Sequence, residues 1–226
     1  KTAYDYPLHE QSSKAGYAAV YAFRKHFSRV AEKDKDPVKR EVVRSSLKFA
    51  EAFPAHEKAP VVQAAAADDL YALADFEAAL AAARNLIERF PGADAEVRRS
   101  AWLVEAHSSY ELESFAEAEK AYVEVLSLLE EGDKSRQGLV DNLAASIYKQ
   151  GEQANILEDY CAAADHFLRV ATMAPTSTIR STAEYDGATA LIKLKEWGRA
   201  ATVLAAFRKS FPEHKLQHEV TKKIAY

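Results

Sequence analysis

An internal repeat constrains the fold of this chain more than any other feature of its sequence. Four segments place an aromatic residue three positions before an alanine, and the aromatics are Phe76, Phe115, Tyr160 and Trp197, at steps of 39, 45 and 37 residues. Fifteen residues after the aromatic, three copies carry a proline, whereas the second copy has Glu130. Constant offsets inside a copy, with variable spacing between copies, are typical of a repeat that carries loop insertions.

Each copy predicts a pair of helices. Between the aromatic and the proline, apolar residues recur at steps of four and three, as in Ala79, Ala83 and Leu86, which marks one stripe of an α-helix. A proline cannot continue a helix, so it ends this second helix of the pair. First helices are expected at about 58–73, 96–112, 136–150 and 179–194. Such pairs must stack to bury a core, so the chain is predicted to be an all-α, right-handed α-solenoid.

The repeat divides the chain into stretches. Residues 1–56 are expected to form a divergent N-terminal helical pair, and residues 57–214 four pairs. The four pairs are assigned to 57–92, 96–132, 136–175 and 179–212. Residues 215–226 are interpreted as the first helix of a further, truncated unit. Because the chain starts at Lys1 without a methionine, we expect it to be part of a longer protein.

Composition and motifs argue against several functions. The net charge of −4 and the lack of a basic face argue against a nucleic-acid partner. No apolar run is long enough to span a membrane. His214 and His218 share a helical spacing but have no third ligand nearby, and Cys161 has no neighbouring base. Frequent glutamates beside lysines indicate solvated helix surface. The sequence therefore predicts no cofactor, no metal site and no enzyme.

The helix pairs resemble the tetratricopeptide repeat family. Matching residues are Trp102 at an early aromatic position, Tyr148 at a late one, and Ala67, Ala106, Ala145 and Ala188 at the small position of the first helix. Steps of 37–45 residues exceed the 34 of that family, which implies a divergent member with insertions. The resemblance implies that the first helices line a concave groove that holds a protein or peptide partner.

Carried over position by position, that groove contains nine residues of this chain. They are Asp68, Tyr71, Leu103, His107, Tyr110, Asn142, Ser146, Tyr185 and Thr189. These positions hold no Lys or Arg, so an apolar or mildly basic partner is expected rather than the acidic peptide of the carboxylate-clamp type. The alternative for Tyr71 and Tyr110 is that they pack between helices. A second candidate surface is the N-terminal aromatic stretch with Tyr4, Tyr6, Pro7 and His9.

The cellular context rests on short junctions. Phe90-Pro91 and Phe211-Pro212 resemble the junctions of bacterial envelope proteins, such as the lipoprotein of the β-barrel assembly machinery and the periplasmic partner of the Tol system. The expected function is a non-catalytic scaffold in the periplasm or at the outer membrane, within an envelope or secretion-associated protein. The alternatives are a cytoplasmic location, a module that tethers or regulates a catalytic domain, and a self-assembly module.

Overall fold

The computed structural model describes residues 3–4, 9 and 11–225 of the chain, and every regular element in them is helical. A short 3₁₀ helix spans Glu32–Asp34. The α-helices are α1 (Ser12–Phe27), α2 (Lys35–Ala52), α3 (Ala59–Ala72), α4 (Phe76–Arg89), α5 (Ala95–Glu111), α6 (Phe115–Ser127), α7 (Arg136–Ile156), α8 (Tyr160–Met173), α9 (Arg180–Lys193), α10 (Trp197–Ser210) and α11 (Gln217–Ala225). None of these helices is both long and apolar enough to cross a membrane.

The chain forms two compact units, Lys1–Glu113 and Ser114–Tyr226. In the first unit each helix from α1 to α5 packs on the next one, and α3 also contacts α5. In the second unit α6 to α11 follow one another in the same way, and α7 also contacts α9. The predicted all-α class, in which helices pack on their neighbours in sequence order, is confirmed.

The four repeated aromatics are the first residues of the second helices α4, α6, α8 and α10. The alanines three positions later, Ala79, Ala118, Ala163 and Ala200, are buried to 2% exposure or less. A turn of three residues precedes each aromatic, and its middle residue adopts the left-handed conformation at Ala74, Glu113, Glu158 and Lys195, with φ between 55° and 61°. The same local backbone geometry therefore precedes α4, α6, α8 and α10.

The prolines end the second helices as the sequence predicts. Arg89, Met173 and Ser210 are the last residues of α4, α8 and α10, two positions before Pro91, Pro175 and Pro212. The residue between leaves the helical conformation, as at Phe90 with φ −124° and ψ 56°. A residue that precedes proline is excluded from the helical region by the proline ring, which explains where these helices stop.

Small residues let the helices approach closely. In the first unit Ala66, Ala67 and Leu70 pack against Ala79 and Ala83. In the second unit Ala163, Ala164 and Phe167 pack against Ala190 and Leu191. In each core, alanines thus fill the space between larger apolar side chains. This packing fixes where the first helix lies against the second helix of its pair.

Helix α7 differs from the prediction. It was expected over 136–150 but extends to Ile156, so the long 45-residue step comes mainly from a longer helix rather than from a loop. Counting back nine residues from the aromatic gives Ala67, Ala106 and Ala188 in three copies, and Gly151 in the third. Gly151 is buried, and an added Cβ would lie 2.6 Å from the Phe167 ring. The small position of α7 is therefore Gly151, and its assignment to Ala145 was wrong.

Candidate functional site

Three side chains around the small position share one face of each first helix. They stand three residues before it, one after it and four after it, which is helical spacing for a single stripe. We call this stripe the first-helix face of a unit, on α3 and α5 in the first unit and on α7 and α9 in the second. It consists of Ala64, Asp68, Tyr71, Leu103, His107, Tyr110, Tyr148, Glu152, Asn155, Tyr185, Thr189 and Ile192. All of them except Ala64 are half-buried or exposed.

In the first unit the structure brings five of the predicted groove residues together. Exposed Asp68 on α3 accepts a hydrogen bond from the Ser100 hydroxyl of α5, at 3.1 Å. The Tyr71 ring lies 5.4 Å from Phe76 and 5.7 Å from His107 of α5. Leu103 and Tyr110 are half-buried on the same side of α5. Tyr71 thus packs between helices, as the alternative proposed, while part of its surface stays on the face.

In the first unit, burial shifts the pKa values of several side chains on and beside the first-helix face. Burial raises the pKa of Asp68 and of its neighbour Asp69, because a carboxylate loses hydration there. The guanidinium of Arg24, on α1, lies 3.3 Å from Asp69 and opposes that effect. Burial also lowers the pKa of His107, against the opposing charge of Glu111, so this imidazole stays neutral at a lower pH than an exposed histidine does.

The two residues predicted for α7 do not lie on the face. Ser146 is fully buried, and its hydroxyl donates to the backbone carbonyl of Asn142 at 3.0 Å. Because the small position is Gly151, the face positions of α7 are Tyr148, Glu152 and Asn155 instead of Asn142 and Ser146. The signal that would have found them is the nine-residue distance to Tyr160, which the other three copies share.

Hydrogen bonds join α7 to α9 in the second unit. The Tyr148 hydroxyl donates to the Asp186 carboxylate at 2.6 Å, and Lys193 donates to the Asn155 side chain at 3.3 Å. Glu152 is paired with Lys149 at 2.6 Å. Burial raises the pKa of Asp186, and the Tyr148 hydroxyl partly offsets this by bonding the ionised form.

Helix α11 reaches the predicted residues of α9. The Tyr185 hydroxyl donates to Glu219, Lys223 donates to the Thr189 hydroxyl at 3.0 Å, and the same ammonium lies 4.6 Å from the Tyr185 ring centre. The nine predicted positions hold no Lys or Arg, but Lys193 and Lys223 reach the surface from neighbouring positions. The sequence reasoning missed both, because it considered only the positions carried over from the family.

The other motifs serve local structure. His214 packs edge-on against the Phe207 ring at 5.3 Å, and its Nδ1 accepts the backbone N–H of Leu216 at 3.3 Å. Cys161 is exposed. Glu119 bonds Arg169 at 2.7 Å. Within residues 3–4, 9 and 11–225, no three His, Cys, Asp or Glu side chains are grouped as metal ligands would be.

The N-terminal aromatic stretch is described only in part. The Tyr4 ring packs on Phe53 at 5.8 Å and lies beneath the Lys48 ammonium at 4.4 Å. His9 is exposed and its Nδ1 accepts the backbone N–H of Gln11 at 3.2 Å. Tyr6 and Pro7, which belong to the same predicted surface, lie outside the described residues. Tyr4 thus packs on the first unit.

Comparison with known proteins gives matches among solved structures. No protein-family model matches the chain, and no curated protein matches it. One similar solved structure is the complex of the TPR2AB domain of yeast Sti1 with pHSP90. It has 15% sequence identity and a TM-score of 0.42, over 96% of this chain and 98% of that one. We draw nothing about function from a likeness at this level.

Proposed function

We propose that this chain is a non-catalytic protein-binding module that holds a segment of a partner protein on its first-helix face. The observation that carries the proposal is the repeated exposure pattern of the first helices. On α5, for example, Ala106 is fully buried, while Leu103, His107 and Tyr110 around it remain partly exposed. Within each unit, this face recurs in phase on two successive first helices and offers the side chains of both to an extended ligand segment.

The residue types on this face support binding rather than chemistry. Tyrosine buries a large area with few rotatable bonds and keeps a hydroxyl for hydrogen bonding, and the face carries four tyrosines, at Tyr71, Tyr110, Tyr148 and Tyr185. The polar groups of the second unit bond to one another across helices, as Tyr148 does with Asp186. Such a network orders the side chains of a surface.

The cellular context is also part of this proposal. We place the protein in the bacterial envelope, as a periplasmic or outer-membrane-associated part of a larger assembly, because of the Phe-Pro junctions at Phe90 and Phe211. Fractionation of the source cells with an antibody against the chain tests this directly. Recovery with the cytosolic proteins would contradict the envelope context without touching the binding role.

Site-specific photo-crosslinking tests the binding role. A photoreactive phenylalanine analogue replaces half-buried Leu103 on the first-helix face, or exposed Glu88 on the second helix α4 as the control. We expect a discrete crosslinked partner from position 103 in the source cells and none from position 88. His107→Ala or Tyr110→Ala in the same chain should reduce that product. Equal products from both positions, or products from position 88 alone, would contradict the proposal.

A further inference from the structure

Two acids border the first-helix face of the first unit, and neither forms an ion pair within the part of the chain that the structure describes. Asp68, on the face, accepts a hydrogen bond from the neutral Ser100 hydroxyl at 3.1 Å, and the charge of Arg24 acts on it without an ion pair between them. Glu111 is exposed, and among the residues that the structure describes none donates a hydrogen bond to it. It stands four residues after His107 on α5, one helical turn along the same side, and its charge raises the pKa of Tyr71 and opposes the lowering at His107.

Several cations of this unit have other partners. Arg24 and Lys39 face Asp69, the first at 3.3 Å, and Arg40 lies 3.6 Å from Asp75. On α5, half-buried Arg99 makes interactions of its own. In the second unit, Glu152 is paired with the Lys149 ammonium at 2.6 Å, whereas Asp186, like Asp68, has a neutral hydroxyl donor, that of Tyr148. The exposed carboxylate of Glu111 therefore has no counterpart at Glu152, whose charge is compensated by a lysine.

The two acids bracket an apolar and aromatic stretch. Ser100 marks the position of Asp68 along α5, and Glu111 follows eleven residues later. At a rise of 1.5 Å per residue, this separates the two carboxylates by roughly 16 Å along the helix axis. Leu103 and His107 lie between them on α5, with Tyr71 of α3 against His107.

We infer that the α3–α5 part of the first-helix face recognises an extended basic segment of a protein, with one Lys or Arg beside Asp68, another beside Glu111, and an apolar or aromatic residue between them. An extended chain advances about 3.3 Å per residue, so the two cations stand five positions apart. The Arg24–Asp69 pair shows that a guanidinium fits against the neighbouring carboxylate of the same helix. The inference rests on the proposed function and gives it a partner chemistry.

A fluorescein-labelled hexapeptide of sequence lysine-serine-leucine-tyrosine-serine-lysine tests this in anisotropy titrations with the whole chain. Two comparison peptides carry glutamate in place of both lysines, or both lysines side by side. We expect the spaced lysine peptide to bind most tightly, and its affinity to fall as salt is added. Asp68→Asn and Glu111→Gln should each weaken it about two- to five-fold, as expected for partly exposed ion pairs, and the double variant about ten-fold.

Matched controls keep the outcomes separate. Asp68→Asn removes the charge but retains an acceptor for the Ser100 hydroxyl. Glu88→Gln removes one negative charge from the second helix α4, away from the proposed site, and should leave binding unchanged. Circular dichroism checks that each variant keeps its helicity. The inference is overturned if the glutamate peptide binds as well as the lysine peptide, if wild type binds neither, or if the double variant binds like wild type. Loss of the position-103 crosslink would instead overturn the proposed function.

Discussion

At the scale of single residues, two glycines of helix α7 lie in opposite surroundings. A Cβ at Gly151 would meet the Phe167 ring at 2.6 Å, whereas one at Gly138 would meet nothing within 4 Å. Both sites gain helix propensity from alanine, about 1 kcal/mol, but overpacking at Gly151 costs about 1–3 kcal/mol. We therefore expect Gly151→Ala to lower the free energy of unfolding by about 1 kcal/mol and Gly138→Ala to raise it by a similar amount.

Urea denaturation of the two variants beside wild type measures this difference. Equal stability of Gly151→Ala and Gly138→Ala would mean that Gly151 is not the small position of its pair. The residue scale also shows where sequence reasoning failed. Ala145 fits the family pattern by type, but the nine-residue distance to Tyr160 and the contact with Phe167, sixteen residues later in the chain, both select Gly151.

At the scale of the element, the turn inside each pair stores backbone strain. Ala74 has φ 55°, and the N–H groups of Ala74 and Asp75 bond back to the carbonyls of Tyr71 and Leu70, which is the pattern of a Schellman helix end. A side chain at positive φ costs about 1 kcal/mol that glycine avoids. Ala74→Gly should therefore raise the free energy of unfolding by about 0.5–1 kcal/mol.

The matched control is Ala81→Gly, in the exposed middle of α4. There glycine should lower stability by about 1 kcal/mol, because it weakens a helix interior. Thermal unfolding followed by circular dichroism compares the two. If both glycines destabilise alike, the left-handed turn at Ala74 is not a source of strain.

The ends of helices could be predicted because local chemistry sets them. The aromatics that begin α4, α6, α8 and α10 and the prolines that follow three of these helices act within a few residues of the chain. The bonds across the first-helix face could not. Tyr148 bonds Asp186, and Tyr185 bonds Glu219, 38 and 34 residues away, so each depends on how whole helices pack.

At the scale of the whole molecule, each unit carries a histidine whose pKa is lowered. Burial does this at His107 in the first unit and at His166 in the second, where Arg169 adds to it and Glu119 opposes it. A histidine whose pKa is lower in the folded state binds protons more tightly in the unfolded chain, so protonation favours unfolding. The stability that depends on these two neutral histidines should thus be fully present above the ordinary value of 6.5 and should be lost as the pH drops below it.

Urea unfolding at several pH values between about 5 and 8 measures this slope. The double variant His107→Gln, His166→Gln should lose stability less steeply over the same range. A slope identical to that of wild type would show that these two histidines do not carry the acid sensitivity.

The extra length of α7 has a consequence for how such a chain can be altered. The first helices differ in how far they extend on the N-terminal side of the small position. Helices α3 and α9 begin eight residues before it, α5 begins eleven residues before it, and α7 begins fifteen residues before it. The differences of three and seven residues are close to one and two helical turns, so the stripe stays in phase. The turn at the C-terminal end of each first helix fixes the register of the face. Whole helical turns can therefore be added or removed at the N-terminal end without changing the direction of any side chain of the face.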